Sequence, residues 1–305
     1  MEKLVSIIVP CFRQAQFLPD ALDSVISQTY QNWECIVVND GSPDKTVEIA
    51  EEYSKIDRRF RVISQSNQGV CKARNNGLGN AIGDFIQYLD ADDLLFPEKL
   101  AIQVSALAEV HETAVCFSDF RYCDANDTSK SIYIKQFNKP KFVMEKAIYD
   151  IASRWETELS IPIHSFLFDA RLFRNHNIIS PDFLPNHTDW DCWMRLFRLN
   201  PKLVYVPGEL VSYRLVPGSM SKDPTKMRDG FDLAIQLHLD MEATSDSPDE
   251  QLIKLLLRKR AQMRRLYNQQ ARHIIFAKGK SNLHATYRKV TPWPIQRVIH
   301  RFFGI

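Results

Sequence analysis

No two cysteines in this chain share C-x-x-C spacing: Cys11, Cys35, Cys71, Cys116, Cys123 and Cys192 are scattered, several of them inside apolar runs. That argues against a zinc ribbon or a disulfide scaffold and suits reduced core residues of a cytosolic protein. No uninterrupted apolar run reaches the length of a membrane span, and residues 1–10 enter a strand almost at once with no export signal, so a cytoplasmic location is expected. A dinucleotide fingerprint is missing too. The nearest approach, Gly77-Leu78-Gly79-Asn80-Ala81-Ile82-Gly83, has three residues rather than two before its last glycine and precedes a strand instead of following one. The first apolar strand runs into Pro10-Cys11-Phe12-Arg13, without glycine, so a nucleotide-binding oxidoreductase is excluded. There is no internal repeat and no low-complexity stretch.

Acidic residues are absent from one region. After Glu250 the chain has no Asp or Glu but 13 Lys and Arg, whereas residues 1–250 carry the other 26 of the 39 basic residues against all 37 acids. The net charge of +2 therefore hides an acidic body of −11 and a basic tail of +13. Such a split points to an anionic surface as the tail's partner, membrane lipid or nucleic acid, and argues against the tail being ordinary core.

What is present is 305 residues with 45% hydrophobic content, enough to bury a substantial core. The first 120 residues alternate between strand and helix signals. Val5 to Val9 is a short β-branched run, and an amphipathic pattern follows at Phe17, Leu18, Ala21, Leu22, Val25 and Ile26 with Pro19 near its start. Cys35 to Val38 leads into the turn Asn39-Asp40-Gly41-Ser42 and a polar helix over about 45–55, and further strands are expected at Arg61 to Ser64, Asp84 to Leu89 and Ala114 to Ser118. The rhythm predicts a mostly parallel sheet covered by helices on both faces. Beyond Phe120 the pattern loosens, with strands expected at Ile163 to Phe168 and Leu203 to Val206 and a helix at Trp190 to Leu199; from about Asp229 the chain turns helical.

Chemistry concentrates where the strand ending at Leu89 runs into Asp90, Asp92 and Asp93. Open α/β sheets bind ligands at the carboxyl ends of their strands. Oxygen donors crowded on a turn repel one another unless a divalent cation neutralises them, and Mg2+ or Mn2+ keeps coordination positions free for substrate phosphates. A diphosphate substrate is the first expectation. The plain alternative is that Asp92 or Asp93 caps a helix over about 97–110.

Read together, five blocks in order resemble the family 2 glycosyltransferases of the nucleotide-diphospho-sugar transferase (GT-A) fold. They are Val5 to Pro10; Val38 to Ser42; Asn67, Gly69, Ala73-Arg74-Asn75 and Gly77; Leu89 to Asp93; and Thr188-Asp189-Trp190-Asp191 with Ser212-Tyr213-Arg214. The resemblance covers about 4–220. It implies a Rossmann-like sheet with flanking helices as a GT-A domain over 1–228, its nucleotide-binding part about 1–120 and its acceptor part about 121–228, followed by a basic helical extension over 229–305. It also implies an inverting, metal-dependent transferase that moves a sugar from a nucleotide-sugar, a UDP-sugar first among them, to a hydroxyl of a glycan or lipid-linked acceptor.

The resemblance assigns roles residue by residue. Pro10 at the first strand's end and Asp40 would seat the nucleotide, Asp40 accepting from a uracil-like ring N–H, although a turn Asp bonding its own backbone also fits N-D-G. Asn39 stands where a first Asp is common. Arg74 would neutralise diphosphate or orient the acids; a solvated helix Arg is the alternative. Of Asp90 and Asp92, one would grip Mn2+ or Mg2+ and the other meet ribose or a metal-bound water. Asp189 would be the catalytic base, and an Asp there also suits the cap of a helix starting at Trp190. His187 and Thr188 would adjoin the acceptor. Val216 follows the Tyr213-Arg214-Leu215 block where many members carry a histidine, and His164 reads as a core residue.

The last segment, Trp293 to Ile305, interleaves Trp293, Ile295, Val298, Ile299, Phe302 and Phe303 with Arg297 and Arg301, a pattern suited to a helix in a bilayer interface or docked on the protein's own core. With an acidic body beside it, the tail is expected to meet an anionic membrane rather than nucleic acid.

Overall fold

The computed structural model describes residues 2–132, 139–176, 181, 184–216 and 223–281, with side chains described as far as 270. In chain order the elements are β1 (Val5–Cys11), α1 (Leu18–Ile26), β2 (Trp33–Asp40), α2 (Thr46–Ile56), β3 (Phe60–Gln65), α3 (Val70–Gly79), β4 (Phe85–Tyr88), β5 (Leu94–Leu95), α4 (Lys99–Ala108), β6 (Ala114–Asp124) and β7 (Ser131–Ile132). There follow α5 (Ala147–Arg154), a 3-10 turn (Ile163–Ser165), β8 (Phe166–Asp169), α6 (Arg171–Arg174), α7 (Thr188–Arg198), β9 (Lys202–Leu215), α8 (Pro224–Ala243) and α9 (Glu250–Ser281). They form two compact units. The first comprises Met1–Pro140, Ile161–Asp182 and Arg195–Leu215, and the second Lys141–Ser160, Phe183–Met194 and Val216–Ile305.

The first unit is an α/β layer structure on a sheet of order β3-β2-β1-β4-β8-β6-β9-β5, with β7 paired to β6. The β3-β2-β1-β4 half is entirely parallel, as the strand–helix alternation predicts. The other half is mixed: β8 runs antiparallel to both β4 and β6, β6 and β9 are parallel, and β5 is antiparallel to β9. β1 explains why the sheet nucleates where it does. All seven of its residues are buried, and Val5, Ile7, Ile8 and Val9 are each fully covered, worth about 1.5–3 kcal/mol apiece. Pro10 pairs with Val38 two residues past the last β1–β4 pair, Ile8 with Tyr88, so its missing N–H falls where β4 has already turned away.

Three elements stand out against the sequence reading, the first two by departing from it and the third by forming over a segment to which it gave no element. The segment from Ile163 is a 3-10 turn closed by Ser165 N–H donating to Pro162, and only from Phe166 does it become strand. β9 is 14 residues long rather than four, because the Pro207-Gly208 pair that reads as a break is absorbed as an irregularity, with Gly208 at φ +120°. Asp119 of β6 holds that irregularity by accepting from Gly208 N (3.2 Å) and Tyr205 OH (2.8 Å). Thirdly, α3 forms over a sequence whose Asn75, Asn76, Gly77 and Gly79 are poor helix formers. Packing supplies what propensity lacks: a side chain at Gly77 would meet Ile8 Cγ2 at 2.4 Å and Val38 Cγ2 at 3.2 Å, so α3 lies closer to β1 and β2 than any larger residue permits.

The second unit is helical. One stripe of α9, Leu252, Leu256, Lys259, Met263 and Tyr267, is buried at helical spacing, while Arg258 and Arg265 are exposed. The first turns of the basic tail are thus packed as core on one face, which corrects the expectation that charge would keep the tail out of the core. Arg260 and Arg264 lie against Asp232 of α8, so an acid from another element balances part of the charge that the linear sequence leaves unmatched. The segment from Trp293 to Ile305 lies outside the described residues. Among the described residues no helix is long and apolar enough to cross a membrane, and all six cysteines are buried.

Candidate active site

The carboxyl ends of β1, β2 and β4, with α3, bring five of the sequence-predicted residues, Pro10, Asp40, Arg74, Asp90 and Asp92, into the first unit. The turn after β2 is shaped by Asn39, whose Oδ1 accepts from Ser42 N (3.0 Å), and by Gly41 at φ +68°, where another residue would also press on Asn67 N at 2.8 Å. Asp40 is buried. Its Oδ1 accepts from Gln65 Nε2 and Gln68 N, its Oδ2 from Gly69 N, each at 2.8 Å. The carboxylate therefore ties the β2 turn to the entry of α3, where a negative charge also suits the helix dipole. Two anionic oxygens offer about four acceptor positions, and three are used here.

Arg74 is 5% exposed, so it is no solvated helix arginine. Its Nη2 donates to Asp90 Oδ1 at 2.7 Å, and its guanidinium carbon lies 5.9 Å from the Tyr88 ring centre. α3 thus delivers a cation to the acidic turn. Burial, and after it the charge of Asp90, pushes the Asp92 carboxyl up to about 6. A cation between the two would relieve that repulsion.

Asp93, the third acid, belongs behind the turn. It is 2% exposed, its Oδ1 accepts from Arg214 N (2.8 Å), and its Oδ2 lies 3.1 Å from His164 Nδ1. Burial, then Asp92 and Asp90, holds its carboxyl well above the usual range. Arg214 extends the brace: its guanidinium donates to Asp92 O (2.8 Å), Ala125 O (3.1 Å) and Asp20 Oδ2 (2.7 Å). The helix-cap reading of these acids does not hold, since the residue before α4 is Glu98 and two strand residues, Leu94 and Leu95, follow Asp93. His164 and Arg214 are the site's missed residues. An isolated histidine among apolar neighbours carries no sign of the carboxylate it will meet, and the 121 residues between Asp93 and Arg214 hide their contact.

Asp189 lies in the second unit. α7 starts at Thr188, two residues earlier than expected, which puts Asp189 inside its first turn and half-buried. Asp191, the other acid of the block, is fully buried with His238 Nε2 at 3.0 Å. The two aspartates are therefore distinct: Asp191 is locked in the fold and Asp189 is not sealed from solvent. His187 stands just before the helix at φ +56°, its ring buried with Nε2 3.3 Å from Glu156 Oε1 and 3.2 Å from Tyr267 OH. That ring is a packing element rather than an open acceptor contact. Glu156 is itself at φ +57°, so two left-handed residues meet at the entry of α7.

Whether this corner suits a divalent ion is a matter of its donors. Asp90 and Asp92 offer hard oxygens, and among the described residues no group of three or more His, Cys, Asp or Glu closes around a common point. Two carboxylates with positions left open are what Mg2+ or Mn2+ takes when it also binds phosphate. The residues fit. A cavity of about 340 Å³ lined by Lys3, Asp84, His111 and Arg171 lies at the opposite, amino-terminal end of β4 and shares none of these groups.

The chain is similar to known proteins in sequence and in fold. The profile described as Glycosyl transferase family 2 matches residues 6–165. An uncharacterized glycosyltransferase of Bacillus subtilis, EpsJ, is 30% identical over 228 residues, 74% of this chain and 65% of that protein. Glycosyltransferase GlyA of Streptococcus pneumoniae is 29% identical over 227 residues, 72% of this chain and 31% of the relative, so the match spans less than two thirds of either protein's length. Among solved structures, S. aureus TarS 1-349 in complex with UDP-GlcNAc superposes with a TM-score of 0.64 at 20% identity, covering 83% of this chain and 70% of that one. The mannosyltransferase PcManGT from Pyrobaculum calidifontis, in complex with GDP-Man and Mn2+, gives 0.62 at 14% identity over 100% of this chain and 82% of the other. At these identities the structural likeness speaks to fold.

Proposed function

The chain belongs to glycosyl transferase family 2, and from that premise we propose that it is an inverting, metal-dependent glycosyltransferase that uses a nucleotide-sugar, a UDP-sugar first among them. The acceptor we assign is a hydroxyl of a glycan or lipid-linked glycan. The observation that carries this reading is the corner where Arg74 meets Asp90 while Asp92 stands beside it, its carboxyl pushed up by burial and then by the charge of Asp90.

Asp90 and Asp92 would hold Mn2+ or Mg2+, which when bound stabilises the charge gathering on a departing diphosphate. Pro10 and the β2 turn would seat the nucleotide, Asp40 offering its remaining acceptor position to a base N–H. Arg74, buried on a helix pinned by Gly77, keeps a fixed positive charge at the diphosphate side of the acids. Asp189 would accept the acceptor hydroxyl's proton as that oxygen bonds to the anomeric carbon and the carbon–phosphate oxygen bond breaks, a direct displacement that inverts the configuration. The domain roles follow: nucleotide binding over about 1–120, acceptor binding over about 121–228, and an extension from 229 whose basic face meets an anionic membrane surface.

The deciding experiment is thermal stabilisation and Mn2+-dependent hydrolysis across a panel of UDP- and GDP-sugars. A response to one or more UDP-sugars that disappears on chelation is the expected result. Flat responses to every UDP-sugar would remove the donor assignment.

A further inference from the structure

A buried amine outside the proposed machinery has no carboxylate to answer it among the described residues. Lys99, in the first turn of α4, is fully buried, and its Nζ donates to the side-chain oxygens of Gln87 and Gln103, both fully buried as well. Removing an ammonium from water into such a place is costly, and burial pushes this one down to about 7, the Cys116 thiol being the titratable group whose charge bears on it next. A methionine or leucine would fill the same space without that cost, so the amine's retention asks for a reason in what it orients.

The reason is visible in the glutamines. An amide side chain has one accepting and one donating end, and nothing in its shape says which way it faces. An amine that donates to both glutamine oxygens decides both orientations at once and turns both amide nitrogens away from itself. Gln103 Nε2 then donates to Ser165 O (2.9 Å), and Gln87 Nε2 to His164 O (3.0 Å) and to Tyr88 O. The Ser165 and His164 carbonyls belong to the 3-10 turn, while Tyr88 is in β4; the His164 ring of that turn lies 3.1 Å from Asp93 and stacks on Tyr213 with 6.2 Å between ring centres.

We propose that Lys99 is a positioning residue for the acidic turn: by setting the direction of Gln87 and Gln103 it clamps the Ile163–Ser165 turn, and through it seats His164 against Asp93 behind Asp90 and Asp92. Lys99 gives its amine hydrogens to Gln87 and Gln103, not to Arg74, Asp90 or Asp92. Its effect passes through two amides and one imidazole, all fully buried, so that little of the constraint is lost to solvent.

The test is Lys99→Met in the full chain, with three readouts: thermal midpoint, ring signals of His164 in protein carrying labelled histidine, and affinity for UDP in the presence of Mn2+. A midpoint within about 4 °C of the parent, displaced or broadened His164 signals and an affinity at least tenfold weaker are expected. Unchanged ring signals with parent-like affinity would overturn the proposal, and so would an affinity loss that merely follows a collapsed midpoint, since that is what a residue needed only for folding gives. If Lys99→Met does not fold, Gln103→Met removes the bond to Ser165 together with one of the two oxygens that receive the Lys99 amine, and His164 signals identical to the parent's would then decide against the clamp. The affinity readout rests on the donor site proposed above, whereas the ring signals do not. A parent chain that binds no UDP with Mn2+ therefore counts against the donor site and leaves the His164 signals to decide the clamp.

Discussion

Four aspartates near the strand ends of the first unit are the same side chain put to different uses by their surroundings. Asp40 faces backbone N–H groups, Asp90 faces a guanidinium, Asp92 faces another carboxylate, and Asp93 is closed in with an imidazole and a backbone amide. In the second unit Asp189 and Asp191 divide in the same way, one half-buried and one sealed with His238. Replacing Asp189 by Asn should lower transfer by about 10²–10⁴-fold while leaving UDP affinity unchanged; a variant that keeps its turnover would strip Asp189 of the base role. Glycine matters at this scale too. Gly77→Ala places a methyl 2.4 Å from Ile8 Cγ2, an overpacking expected to cost about 1–3 kcal/mol, which urea unfolding monitored by circular dichroism would measure; an unchanged midpoint would mean that α3 has room to retreat.

At the scale of elements, two helices act through what they press on rather than what they expose. α3 carries Arg74 to the acidic turn, and α9 anchors the segment after α5 through Tyr267, whose hydroxyl donates to Glu156 Oε2 at 2.7 Å. Beside it Lys259, 1% exposed, donates to Trp155 O and lies 3.3 Å from Thr157 Oγ1. Burial pushes its ammonium from 10.5 down to about 8. A lysine depressed in the folded state binds its proton less tightly there than in the unfolded chain. Its contribution to stability is thus full above 10.5 and is lost as pH falls through about 8. The difference in unfolding free energy between Lys259→Met and the parent should accordingly favour the variant most below pH 8 and shift toward the parent as pH rises to 10.5; a difference independent of pH would show that the amine is no more buried folded than unfolded.

Charge is a property of the whole molecule. The body of −11 and the tail of +13 would largely cancel if mixed, yet they are separated along the chain, and Arg258 and Arg265 of α9 face solvent while Arg260 and Arg264 meet Asp232. Sedimentation with anionic liposomes should therefore be strong at low salt and weak at high salt, because surface attraction is screened over about a Debye length. No sedimentation at either salt would remove the membrane as a partner. Retention at high salt would instead mark burial of apolar side chains, for which the aromatic run from Trp293 is the segment to delete.

Much of the first unit was legible in the residues themselves, because period and punctuation are local. VSIIV and CIVV read as strands from their β-branched runs, N-D-G as a turn, and the Asp90 to Asp93 cluster as the end of a strand. Local signals failed where packing overrode them: α3 forms against its own propensity because Gly77 lets it close on Ile8, and β9 runs through Pro207-Gly208 because Asp119 of a neighbouring strand holds the irregularity. The placement of Arg74 on Asp90, of His164 and the Arg214 backbone on Asp93, and of Lys99 between two glutamines belonged to tertiary structure alone. A side chain's burial and partners depend on residues tens to more than a hundred positions away, and it is burial and partners that turn one aspartate into a brace and leave its neighbour facing another carboxylate.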